Sequence, residues 1–228
     1  MIKNSILYSG IFISLFQFGT AQTGFIEYDI EVKGITPELN KGALMLTDSR
    51  MRIAYQDSNL RQDYKMGEMS VNSTILNRTK NQAVFYENGP NGKFAVYGSC
   101  KEIEGIATPK IKATVILVDE TKEILGILCK KALVSYGGLK EEATYWYTEV
   151  YPYRLPKKSL FFDELPGIPL EFTMTSNGYY MKFRCSNYTN EIKGEDLYFT
   201  AGVTADYKVI DFSAYLELLK SSMTGEVK

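Results

Sequence analysis

Histidine does not occur in this 228-residue sequence. Its absence excludes Ser-His-Asp and Cys-His nucleophilic arrangements and every His-ligated metal centre. Cysteine is scarce: Cys100, Cys129 and Cys185 show no Cys-x-x-Cys spacing. In an oxidising compartment an odd set of three allows one disulfide and one spare thiol. It reads equally well as three small buried residues. No charge sign dominates, with 26 basic against 27 acidic residues. A nucleic-acid partner wants a basic face, so that class drops out. Beyond Phe18 no apolar run is long enough to span a bilayer.

The amino-terminal stretch carries the clearest signal. Met1-Ile2-Lys3 gives a positive start, Ile6 to Phe18 is uncharged and mostly apolar, and Gly19-Thr20-Ala21 supplies small residues. Those are the parts of a secretory signal peptide, with cleavage expected after Ala21. The apolar segment would make roughly 20 Å of helix, short of the ~30 Å hydrocarbon core. No Cys stands at the cleavage point, so a lipid anchor is not indicated. The expectation is residues 1–21 as a signal peptide and 22–228 as one exported domain, periplasmic or secreted.

Within that domain the period is two. Ile26, Tyr28, Ile30 and Val32 alternate with Glu27, Asp29 and Glu31, as in a half-buried strand. Ala43 to Thr47, Arg50 to Gln56, Met69–Leu76, Ala83–Tyr86 and Phe94–Tyr97 read as further strands. Ala113 to Val118 is apolar throughout and predicts a strand covered on both faces. Gly126 to Tyr136 and Ala143 to Thr148 predict a hairpin, and Leu170–Thr175 with Tyr179–Tyr188 a second. Prolines at 152, 156, 166 and 169 mark an irregular stretch, with one short helical turn expected at 159–165. Asp211 to Ser222 reads as the one full helix, Phe212, Tyr215, Leu216 and Leu219 forming its apolar face and Asp211 its cap. About ten strands with no helices between them predict a mainly β domain, a curved antiparallel sheet or open barrel.

Chemistry-bearing patterns are thin. Adjacent acids at Glu102/Glu104, Asp119/Glu120, Glu141/Glu142, Asp163/Glu164 and Glu195/Asp196 lack the Asp-x-Asp-x-Asp spacing of a calcium loop and read as solvated turn charge. Gly89-x-x-Gly92-Lys93 has Phe94 where a phosphate loop needs Ser or Thr, so it reads as a turn. Cys129 precedes Lys130-Lys131, yet in a strand only Lys131 shares its face, and a structural thiol is favoured. No catalytic residue, metal site or cofactor is assigned. Seventeen tyrosines and twelve phenylalanines suit strand packing and equally an aromatic-lined site. In Tyr145-Trp146-Tyr147 alternation separates Trp146, expected to be buried in its hairpin, from the two tyrosines.

Several blocks match a known pattern in order and spacing. They are Thr121-Lys122 through Gly126, Cys129-Lys130-Lys131, Trp146-Tyr147-Thr148 and Leu165-Pro166-Gly167. Together they resemble the GLPGLI family of exported bacterial proteins. Glu164 stands where the naming motif has its first glycine, and Ile168-Pro169 where it has Leu-Ile. The resemblance implies a lipoprotein-carrier-like fold, an open half-barrel with a helix against its concave side, and assigns no activity.

The functional expectation is therefore a non-enzymatic binding protein. It would hold a small lipophilic or peptide-like ligand on the concave face, with Phe212, Tyr215, Leu216, Leu219 and Trp146 facing it. The alternative is an envelope interaction or assembly factor that docks a protein through a sheet edge or aromatic face.

Overall fold

A computed structural model describes residues 23–90, 92–107, 113–136, 142–149, 165–176, 178–189, 192, 199 and 206–224. The signal segment and the expected helical turn at 159–165, apart from its last residue, lie outside them. Twelve strands form one sheet. In chain order they are β1 (Thr23–Gly34), β2 (Ser49–Gln56), β3 (Asn59–Met66), β4 (Ser70–Asn77), β5 (Gln82–Gly89) and β6 (Gly92–Gly98). Then follow β7 (Ala113–Ile124), β8 (Ile127–Tyr136), β9 (Glu142–Thr148), β10 (Ile168–Ser176), β11 (Tyr179–Thr189) and β12 (Lys208–Asp211). Their order across the sheet is β12-β6-β5-β4-β3-β2-β1-β11-β10-β9-β8-β7. The amino-terminal strand thus sits mid-sheet and joins two meanders. Every pairing is antiparallel except β12 with β6. The sheet is open, with β12 and β7 at its edges, and is not closed into a barrel.

Among the described residues three α-helices accompany it: α1 (Pro37–Ala43), α2 (Cys100–Ala107) and α3 (Phe212–Thr224). The last matches the expected helix, and the Ala214 N–H donates to Asp211 Oδ1 at 2.8 Å as its cap. The other two depart from the sequence reading. Thr36 accepts from the Leu39 N–H and Pro37 stands in the first turn, so a helix starts where the sequence reading assigned no element. Ala43 ends that helix, and Leu44–Leu46 forms a 3-10 turn rather than a strand. At α2, Ser99 and Glu102 form a capping box, with Ser99 N–H to Glu102 Oε2 at 2.8 Å and Glu102 N–H to Ser99 Oγ at 3.3 Å.

Alternation divides the sheet into two faces. Ile26, Tyr28, Ile30, Met51, Ile53, Tyr145, Phe172, Phe183 and Tyr215 belong to the main core on one of them. There the rings of Tyr145, Phe172 and Phe183 stack in series across β9, β10 and β11, at 5.1 Å and 4.3 Å between centroids. Tyr28 meets Phe172 edge-on at 5.7 Å, its hydroxyl donating to the Pro169 carbonyl at 2.8 Å. Rings on one face draw the sheet closed toward that face, so this is the concave side. Gly24 assists: a Cβ there would lie 2.2 Å from the Tyr55 hydroxyl, and without it Tyr55 crosses β1 to within 3.3 Å of the Tyr188 hydroxyl.

On the opposite, convex side, Ile192 and Phe199 pack on Ala54 and Phe25, and Tyr207 meets Tyr86 edge-on at 5.4 Å. Both expected hairpins form, β8 with β9 and β10 with β11. The run Ala113–Val118 does not lie covered on both faces. It is the first half of edge strand β7, and Ile116 and Leu117 are 50% and 59% exposed.

Candidate functional site

The family-like residues come together on the convex side, where register places them on adjacent strands. Lys131 on β8 faces Trp146 on β9, and Trp146 faces Glu171 on β10, which faces Arg184 on β11. Glu171 accepts from Lys122 Nζ at 2.7 Å and from Arg184 Nε at 3.3 Å, and Lys182 Nζ lies at 3.2 Å. Lys122 Nζ also stands 4.5 Å above the Trp146 ring, with Lys131 Nζ at 5.8 Å. Burial pushes the Glu171 carboxyl up, but hydrogen bonds from Lys122 and Lys182 outweigh it and hold the group below the usual glutamate range.

A charge ladder continues from there across β1 and β2, through Arg184 opposite Asp29 and Arg52 on Glu27 at 2.8 Å. These contacts tie β7 to β11. Their chemistry is that of a staple, since every oxygen of Glu171 already has a cation.

The remaining motif residues have structural roles. Lys130 pairs with Glu149 at 3.2 Å, and Thr121 sits just past a bulge in β7. Tyr147 and Thr148 are buried, at 1% and 2% exposure. Leu165 packs on the core and Pro166 is exposed. At Gly167 a Cβ would lie 2.1 Å from the Thr148 carbonyl oxygen, so only glycine lets that bend meet β9. Gly126 has φ +75° in the two-residue turn between β7 and β8, the other reason a turn wants glycine.

Cys129 is fully buried opposite Lys122, and burial pushes its thiol up to about 11. That is the reverse of a reactive cysteine. All three cysteines are buried free thiols.

The acid pairs, where described, are solvated or locally used. Glu102 caps α2, Glu104 pairs with Arg78 at 2.8 Å, and Glu120 pairs with Lys131 at 2.9 Å. Among the described residues no group of three or more acids and cysteines is arranged to hold a metal. Gly89 and Gly92 close the β5–β6 hairpin, as the turn reading requires.

The concave face carries the second constellation. Tyr215 of α3 is buried, its ring 5.7 Å from Phe85 and its hydroxyl donating to Glu87 Oε2 at 2.8 Å. Phe212 is half-buried against the core and Leu216 half-buried beside it; the side chain of Leu219 lies outside the described residues. Trp146 does not join them. It is half-buried on the convex side, because β9 turns its two tyrosines, not its tryptophan, into the core.

Residues the sequence reading passed over complete this face. Val32, Tyr64, Met66 and Met174 are half-buried at the margin of the core, and Tyr64 donates to Met181 Sδ at 3.6 Å. Burial raises the Tyr64 hydroxyl to about 12. Asn72 lies opposite both Tyr64 and Glu87. The one signal that finds them is strand parity once the register of β3, β4 and β5 is known.

Fold and site together define an open curved-sheet protein with a helix against its concave face. No family model and no curated protein matches the chain. Two solved structures of PNGF-II, in the P21 and C2 space groups, are similar to it at 19% and 18% identity, with TM-scores of 0.46 and 0.47. Each match covers 89% of this chain, which spans about a third of the other's length, 34% and 33%.

Proposed function

We propose that this chain is an exported, non-enzymatic binding protein of the GLPGLI type that holds a lipophilic or peptide-like ligand against its concave face. The observation that carries the reading is the half-buried apolar margin of Val32, Tyr64, Met66 and Met174, facing the same side as Tyr215 of α3. Methionine is flexible and polarizable, so such a margin adapts to ligands of varied shape. The stacked rings of Tyr145, Phe172 and Phe183 fill the β9–β11 part of this face, which leaves the margin and the helix to do the binding.

An environment-sensitive lipophilic dye tests this. It should brighten with the folded protein and be displaced by amphiphilic competitors. Tyr215→Ala and Phe212→Ala should change that affinity more than Lys80→Ala in an exposed turn. A folded protein that leaves the dye dark overturns the reading. Export is tested separately, by intact mass: the mature chain from its native envelope fraction should begin at or near Gln22.

A second reading, docking of an envelope protein by strand addition, is favoured by the exposed apolar half of edge strand β7. Co-purification of a protein that is lost on Ile116→Lys would support it over a small ligand.

A further inference from the structure

Most of the polar side chains in the described sheet are answered. Glu171 holds three cations, Tyr28 reaches a carbonyl, and Glu104 holds Arg78. Asn72 Oδ1 is the exception: it is shielded from solvent and accepts no hydrogen bond. Buried acceptors are nearly always paired, and leaving one unpaired costs about 1–3 kcal/mol. Its position gives that cost a use. Asn72 stands on the concave face, directly opposite Tyr64 on β3 and Glu87 on β5. Opposed residues of an antiparallel pair hold their Cβ atoms about 4.5–5.5 Å apart, so Asn72 and Glu87 offer acceptors side by side. Glu87 takes one hydrogen bond from Tyr215, through Oε2, so α3 reaches over this point. Phe94 continues the row on β6, and the exposed Lys208 on β12 ends it, two strands from Glu87.

We infer that the ligand of the concave face is an amphipath whose head group donates N–H hydrogen bonds, as a protonated primary amine does, to Asn72 Oδ1 and Glu87. This rests on the concave-face reading and names its ligand class. A carboxylate head group is disfavoured, because it brings only acceptors, offers Asn72 Oδ1 no hydrogen to accept and sets a second anion beside Glu87. The apolar tail lies along Tyr64 and Met66 on the adjacent strand β3 of the same face, toward Met181 of β11, whose Sδ the Tyr64 hydroxyl reaches.

The test compares decylammonium with decanoate as displacers of the lipophilic dye from the full mature chain. Wild type should prefer decylammonium by about tenfold or more, the value of one charge-assisted hydrogen bond. Asn72→Leu should keep dye binding, which shows it folded, and lower the ratio, and Asn72→Leu combined with Glu87→Gln should bring it close to one. Removing an unpaired buried acceptor should also raise the denaturation midpoint of Asn72→Leu. Glu87→Gln should lower the ratio in part. Glu68→Gln, on an acid that is almost fully exposed, should leave it unchanged and so exclude a general attraction of ammonium to the protein. Equal displacement by the two probes, preference for decanoate, or a loss of preference as large in Glu68→Gln as in Asn72→Leu overturns the inference but not the binding reading. Displacement by neither probe in a folded protein that binds dye also overturns it. Absence of dye binding altogether overturns the underlying reading instead.

Discussion

Phe183 and Tyr64 stack with their ring centroids 6.4 Å apart, although β1 and β2 lie between their strands. Three strand spacings in a flat sheet would separate them by about 14 Å. The difference measures how far the sheet closes on its concave face, and large rings bridging non-adjacent strands are what fix that curvature.

Phe172 is the hub of that arrangement, touching Tyr145, Phe183 and Tyr28 at 1% exposure. Phe172→Ala should cost about 3–5 kcal/mol, since three rings lose a shared partner and the surrounding strands cannot close the gap. Equilibrium denaturation measures it. A loss under about 1 kcal/mol would mean the rings repack freely and do not set the curvature.

Much of this sheet was legible in the sequence. Ile26/Tyr28/Ile30 and Met181/Phe183/Cys185 fall on the core face as strict alternation requires, and both later hairpins pair as expected. The misreadings share one physical cause. Ala113–Val118 is as apolar as a covered strand, but composition cannot say that it ends the sheet. Trp146 is the largest residue of its strand, yet parity is set by the Tyr145–Phe172 stack, which sends Trp146 out beneath Lys122. Asn72 and Glu87 are 15 residues apart along the chain, and only strand register makes them neighbours.

Glu171 makes stability depend on acid. Its folded pKa is depressed, so its contribution is present above the unfolded value of about 4.3 and is lost as pH falls through the lower folded value. Glu171→Gln should cost about 1–3 kcal/mol at neutral pH, by leaving three cations without their carboxylate. Below about pH 4 the variant should lose stability less steeply than wild type. Parallel pH profiles of the denaturation midpoint would show that the carboxylate is not the group being titrated.

Gly167 and Gly126 should respond differently to alanine. Gly167→Ala drives a Cβ into the Thr148 carbonyl oxygen, backbone against backbone, with no flexible atom to yield. Its cost should reach at least the ~1–3 kcal/mol of overpacking. A Cβ at Gly126 meets nothing within 4 Å, so Gly126→Ala should cost only the roughly 1–2 kcal/mol of a left-handed residue. Thermal midpoints rank the two. Equal losses would mean that the bend at 165–167 shifts away from β9 at no cost.

The edge strand β7 is protected along only half its length. Beyond Val118 a bulge displaces Asp119 and Glu120, and charged residues follow at Lys122 and Glu123. Bulges and charges are the devices that keep sheet edges from pairing. Ala113–Val118 has neither, and among the described residues β7 pairs with β8 alone. Ile116 and Leu117 add exposed apolar side chains to its unpaired backbone groups. A lysine there should block strand addition while leaving the fold intact, because the position is already half in water. Ile116→Lys should therefore keep the denaturation midpoint within about 0.5 kcal/mol of wild type. It should also slow aggregation of the concentrated protein and remove any partner captured at this edge. Light scattering and pull-down from the native envelope fraction check the two effects. A variant that aggregates as wild type does and retains the same partner would show that the first half of β7 is not the surface that pairs.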